Sequence, residues 1–341
     1  MPMPRFLSLS HVLAAILCLI AMNTAALAAS DRAADNPVPI PPGECGLTTR
    51  TAELVTLVPH VKKDLEGPVF DSTGRLVFSD TQGQRLLSWT PDAGLNSLAR
   101  FDDLLPGGLA IHDDRIYVAA FTADSQGTIV SLNLNGDDRQ TIVATGAGYL
   151  PNDLVFDHEG GFYFTDSHAG VENPKGGVYY RQPDSGDITP VLQRLNIANG
   201  LALAPGGQRL WVGEFGDNRL HRLNLDSATD IASFGALVAY NFIGPAPDSM
   251  RIDTAGHVYV AMYGQGRILV FTRLGLPMGQ IVLPKRASGR FLNVTSMAIK
   301  PGTETLYIVA SDGDQPPGQA GLLRTKAFGP SFPLPEDESG D

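Results

Sequence analysis

The sequence predicts an all-β, six-bladed propeller, and three observations carry the prediction. A unit made of apolar residues, a turn and a second apolar run around an aromatic recurs six times along the chain. The 341 residues include 37 Gly and 25 Pro but only 18% charged residues, a balance that suits short strands and tight turns rather than long helices. No amphipathic helical stretch separates the copies, and a period of about 40–50 residues built from strands and turns is the mark of a four-stranded blade. An open β-solenoid has much shorter repeats and does not fit.

The copies read, in order, VFDSTGRLVFSD from Val69, LAIHDDRIYVAA from Leu109, VFDHEGGFYFTD from Val155, LALAPGGQRLWVGE from Leu201, MRIDTAGHVYVAM from Met250 and MAIKPGTETLYIVA from Met297. Each is one hairpin. Asp71, Asp113, Asp157, Pro205, Asp253 and Pro301 mark the turns, and the last four stand 48 residues apart. Tyr163, Trp211, Tyr259 and Tyr307 keep the same 48-residue interval. The segment from Ala52 to Val61 alternates apolar and polar residues before the first hairpin, while Gly321 to Thr325 follows the last. One completes the other's blade and closes the ring. The propeller is therefore expected over residues 51–328, with an extension over 29–50 before it and a tail over 329–341 after it.

Residues 1–28 read as an export signal. Arg5 supplies a positive start, His11 to Met22 is largely apolar, and Ala26-Leu27-Ala28 is a small-x-small cleavage signal. The apolar run is short for a membrane span, so the mature chain is expected to be periplasmic or secreted, with no membrane insertion. Cys45 is the only cysteine after the signal, and with no partner for an internal disulfide it is expected to be buried and inert. A formal charge of −11 argues against nucleic acid and anionic membranes as partners and leaves small molecules and cations.

The inner strands of a propeller surround a central tunnel, so matching positions just before each hairpin face the same mouth. Five or six residues ahead of the turn residues lie Glu66, Gly108, Asn152, Asn199, Asp248 and Ser296. Two carboxylates and two carboxamides thus fall in register in blades one, three, four and five. Buried without partners, such groups would cost several kcal/mol, by an order-of-magnitude estimate, and a cation satisfies them together. Hard oxygen donors without imidazole or thiolate favour calcium or magnesium, and calcium tolerates irregular geometry better. Asn or Asp before a strand also commonly caps a turn, but four in one ring favour a central metal-binding tunnel over four separate caps. The seven histidines form no cluster at ligand spacing; His112, His158 and His257 fall in or beside turns and are expected to be solvated. Asp166, Ser167 and His168 are too close in sequence to make a good triad, and no G-x-S-x-G elbow occurs. Phe121, Phe215 and Tyr263 stand in loops at the tunnel mouth and are candidates to line an apolar substrate site, or to pack between blades.

Glu66-Gly67, Asn152-Asp153, Asn199-Gly200 and Pro247-Asp248 resemble the four signatures of the senescence-marker, gluconolactonase and luciferin-regenerating-enzyme family. The likeness covers nearly the whole mature chain. Asn173 to Tyr180 and Val258 to Arg267 look like its drug-responsive bacterial lactonase branch. The resemblance implies a calcium-dependent lactonase in which Glu66, Asn152, Asn199 and Asp248 surround a catalytic calcium, Ser249 adjoins it and Asp248 transfers the proton. Asn152 is an aspartate in that branch, so this ring carries one negative charge fewer. A second, structural calcium of the branch would correspond to Ser125, Gly127, Ala144, Ala147 and Tyr149, where Ala144 replaces its acidic ligand, so the second ion is expected to be weak or absent, with Asp124 the nearby carboxylate that could substitute. The implied chemistry is metal polarisation of a lactone carbonyl and attack by water, with Asp248, or the neighbouring Asp153, as proton-transfer group. The same ring would also suit a phosphoester, or a binding propeller whose ion is structural.

Overall fold

Each of the six hairpins forms the two inner strands of one antiparallel sheet in the computed structural model, which describes residues 39–333 except 62, 246 and 315–317. The expected signal over 1–28 lies outside the described residues. The innermost strands are Leu65–Phe70, Leu105–His112, Pro151–Phe156, Ala198–Leu203, Pro247–Ile252 and Asn293–Ile299, one for each of blades one to six. Neighbouring inner strands touch around the whole circle, blade six returning to blade one. The result is an all-β, six-bladed propeller.

Two strands from the amino-terminal side finish the ring. Glu53–Val58 pairs antiparallel with Ala320–Lys326 as the outermost strand of blade six, so the first and the last blade-forming segments of this sheet come from opposite sides of the repeat array. Just before it, Thr48–Thr51 adds a fifth strand to blade five, parallel to Pro277–Val282. Glu44 enters the same blade from the short 3₁₀ turn Pro42–Glu44 and meets the fully buried Arg267 at 2.5 Å. The Tyr240 hydroxyl also donates to Glu44, at 2.6 Å. Cys45, at the end of that turn, is exposed, contrary to the sequence expectation: the turn spends its inward position on Glu44 and leaves the next residue outside.

The repeated residues have physical jobs. Asp157 and Asp253 each accept two turn N–H groups on Oδ1, while Oδ2 takes a tyrosine hydroxyl, from Tyr180 at 2.6 Å and from Tyr259 at 2.8 Å. Asp71 caps its turn in the same way and pairs with Arg75. These side chains replace ladder bonds that a tight turn leaves unmade. Tyr163, Trp211, Tyr259 and Tyr307 are buried in the apolar layers between blades. His112 and His257 are held rather than solvated: His112 stacks on Phe156 at 4.4 Å, and His257 Nδ1 lies 2.9 Å from Asp253 Oδ2. His158 is exposed as expected.

Candidate metal centre

Every innermost strand breaks its ladder register near its start, between Glu66 and Val69, Pro106 and Leu109, Pro151 and Leu154, Ala198 and Leu201, Pro247 and Met250, and Val294 and Ser296. A bulge re-aims side chains and releases backbone from the ladder. The six ring positions read from the sequence lie at these breaks. Hydroxyls from neighbouring blades hold carbonyls at or just before these breaks: Ser79 donates to Gly107 O at 2.7 Å, Thr165 to Asn199 O at 2.5 Å and Thr295 to Leu65 O at 2.5 Å. Gly200 has no room for a side chain, since a Cβ there would lie 2.5 Å from Asp248 O and from Ser249 Cα. Blade two carries Gly108 for a related reason. A Cβ at Gly108 would lie 2.6 Å from Asn152 O and 2.7 Å from Asp153 Oδ1, so Asp153 fills the space a blade-two ligand would need.

The carboxyls at this end of the tunnel are electrostatically entangled. Burial pushes Glu66 well above its ordinary value, and the charges of Asp248, Asp64 and Asp153 push in the same direction. Asp248 is likewise raised well above the carboxylate range by burial and by Asp64 and Asp153, against the Asn199 carboxamide and the Ser249 N–H. Asp153 is fully buried, and burial raises it despite Arg251, whose Nη1 lies 3.2 Å from its Oδ2. Among these residues Asp64 was missed in the sequence. It is raised by burial, its Oδ1 accepts from Ser311 Oγ at 3.1 Å, and it lies just before the innermost strand Leu65–Phe70, two residues ahead of Glu66, which was the available signal.

Three buried oxygens in the ring have no hydrogen-bond partner: Asn199 Oδ1, Ser249 Oγ and Ser296 Oγ. Each unsatisfied buried polar group costs about 1–3 kcal/mol. Crowded carboxyls and orphaned oxygens together fit a hard cation held by oxygen donors. Among the described residues no three His, Cys, Asp or Glu side chains converge at metal-ligand spacing, so a cation here would depend on the carboxamides and hydroxyls as well as Glu66 and Asp248.

Phe215 and Tyr263 meet edge to face with ring centroids 6.1 Å apart, and the Tyr263 hydroxyl accepts from Asn293 Nδ2 at 3.0 Å. Burial first, and then the charges of Asp64, Asp248 and Glu66, raise the Tyr263 phenol and keep it protonated. Phe121 ends the second strand of blade two, which lies across a six-bladed ring from blade five. Gly127 packs against Tyr149 O, whereas Ser125 is exposed and neither Ala144 nor Ala147 offers a side-chain donor, so this loop lacks a carboxylate at the second-ion position. His168 Nδ1 lies 2.6 Å from Asp166 Oδ1, and the carboxylate also accepts the His168 and Leu150 backbone N–H groups.

The pattern for "SMP-30/Gluconolactonase/LRE-like region" matches residues 65–312, a span that contains all six ring positions. The chain belongs to the SMP-30/gluconolactonase/LRE-like family. Within it, Lactonase drp35 of Staphylococcus saprophyticus is 41% identical over 296 residues, covering 85% of this chain and 91% of that protein. A luciferin-regenerating enzyme superposes with a TM-score of 0.66 at 20% identity, covering 83% of this chain and 99% of its own. The calcium-binding protein regucalcin of Agrobacterium tumefaciens gives 0.64 at 18% identity, covering 84% and 99%. At such identities these two structures speak for the fold.

Proposed function

We propose that the protein is a calcium-dependent lactonase. The observation that carries this reading is the convergence of Glu66, Asp248 and the orphaned oxygens of Asn199 and Ser249 at one mouth of the tunnel, in a chain 41% identical to a lactonase. Glu66, Asn152, Asn199, Asp248 and Ser249 would hold the ion. Bound calcium would supply Lewis-acid polarisation of the lactone carbonyl and charge stabilisation of its oxygen. Asp248 takes a proton from the water that attacks the carbonyl carbon and returns it to the ring oxygen as the carbon–oxygen bond breaks, giving a hydroxycarboxylate. Asp153, buried against Arg251, positions the Asn152 bulge instead of meeting substrate. Phe215 and Tyr263 offer an apolar wall for the part of the lactone away from the carbonyl.

The test is hydrolysis of aliphatic and aromatic lactones by the mature protein, before chelation, after it and after calcium is restored. Activity is expected to disappear and return. Asp248→Asn is expected to lower turnover by about 10²–10⁴-fold with the fold intact by circular dichroism. Folded, calcium-loaded protein that opens no lactone would move the reading to phosphoesters or to ligand binding, and full activity in Asp248→Asn would remove the assigned proton transfer.

A further inference from the structure

The opposite end of the channel carries a second concavity, of about 460 Å³. Its walls are the far halves of the inner strands, among them Val69, Leu109, Leu154, Leu201 and Ile252, with Arg251 as their one fixed cation. The segment 331–333 passes over its rim. That strap is tied by backbone bonds from Thr254 N to Pro330 O, Ser331 N to Thr303 O and Gly302 N to Phe332 O, and Phe332 is 41% exposed there. The volume falls within the roughly 300–1,000 Å³ of ligand pockets, which join apolar walls to a few placed polar groups. Arg251 Nη1 is engaged by Asp153 Oδ2 and Met250 O, at 3.2 and 2.7 Å. Its Nε and Nη2 have no acceptor among the described residues, and the side chain keeps 22% of its exposure.

We propose that this distal pocket binds an amphipathic carboxylate of medium chain length. Its two oxygens pair with Nε–H and Nη2–H of Arg251, and its hydrocarbon chain lies on the apolar walls under Phe332. A guanidinium edge presents two parallel N–H groups to a carboxylate, the geometry that makes such pairs strong and selective. The pocket opens at the end away from the metal ring, with the Arg251–Asp153 pair between the two, and it does not depend on lactone hydrolysis.

Calorimetric titration of the calcium-loaded protein with sodium octanoate tests it. Saturable binding is expected, about tenfold or more weakened when uncharged octanamide replaces octanoate, because a hydrogen bond to a charged group is lost. Arg251→Met is expected to lose octanoate binding by a similar factor. Since that change also strips Asp153 of its partner, Ala204→Trp serves as a second variant: it fills the rim from a half-buried turn position and should abolish binding without disturbing Arg251. No saturable binding to folded wild type, or equal binding by Ala204→Trp, would overturn the proposal. So would equal affinity for octanamide, or binding lost in Asp248→Asn and kept in Ala204→Trp, which would place the anion at the ring.

Discussion

Asp248, Asn152 and Glu214 show how one side chain at a time sets the behaviour of the tunnel mouth. Asn152 stands where a carboxylate would add a charge to the ring, and oxygen sites tune calcium affinity partly by charge count. Asn152→Asp is therefore expected to tighten calcium by about tenfold or more, measured by competition with a chelating dye, because a unit charge beside a partly buried cation contributes kcal/mol-scale attraction. An unchanged affinity would mean that the blade-three bulge faces away from the ion. Glu214 lies on the strand paired with Ala198, next to Asn199, and is 1% exposed. Burial acts to raise it, but the hydrogen bonds from His221 and the Asn196 N–H, with the charges of His221 and Arg219, win and hold it below its ordinary value. A carboxyl depressed in the folded state contributes stability above its unfolded pKa, and that stability is lost as pH falls through the folded value. The stability advantage of wild type over Glu214→Gln should thus shrink as pH falls from the ordinary glutamate range through the lower folded value; chemical denaturation at several acidic pH values checks it. A gap that widens toward acid would contradict the assignment.

The bulge, more than the strand, is the working element. Each inner strand keeps its hairpin regular and spends its first residues on a register break that turns ring atoms to the axis. At Gly200, as at Gly67, what a side chain would meet is backbone of the next blade, as close as 2.5 Å. Gly200→Ala should force blades four and five apart, lowering stability by about 1–3 kcal/mol. It should also weaken calcium binding, since Asn199 and Asp248 flank the displaced backbone. Thermal unfolding with and without calcium separates the two effects, and an unaltered melting temperature would show that the blades can slide. The aromatic repeat belongs to this scale as well: Tyr163, Trp211, Tyr259 and Tyr307 were visible by spacing, but their burial between sheets and the Tyr259 bond to Asp253 are facts of packing.

Closure is the property of the whole ring. Glu53–Val58 covers the edge of Ala320–Lys326, and an uncovered edge strand is both a loss of hydrogen bonds and an invitation to associate. A chain shortened to begin at residue 60 is expected to lose its single cooperative melting transition and to elute as aggregates in size-exclusion chromatography; a compact, cooperatively melting monomer would show that three strands suffice for blade six. The preceding residues add a staple, because Arg267, wholly buried in blade five, has its charge partner in Glu44 more than two hundred residues earlier. A buried guanidinium without that partner is strongly destabilising.

Periodicity and residue type were enough to read the blades, their number and the closing strand, because strand alternation and turn chemistry are local and repeat. Family membership was legible in the same four dipeptides. What the tertiary structure alone decided depends on atoms brought together from distant blades. Asp64 joins the acidic cluster, Asp153 turns to Arg251 and fills the place left by Gly108, and the oxygens of Ser249 and Ser296 are stranded without partners. Cys45 is outside and His257 is held by Asp253, for reasons no spacing reveals. Burial, close approach and mutual repulsion are sums over neighbours in space, and the order of residues along the chain fixes those neighbours only once the ring has closed.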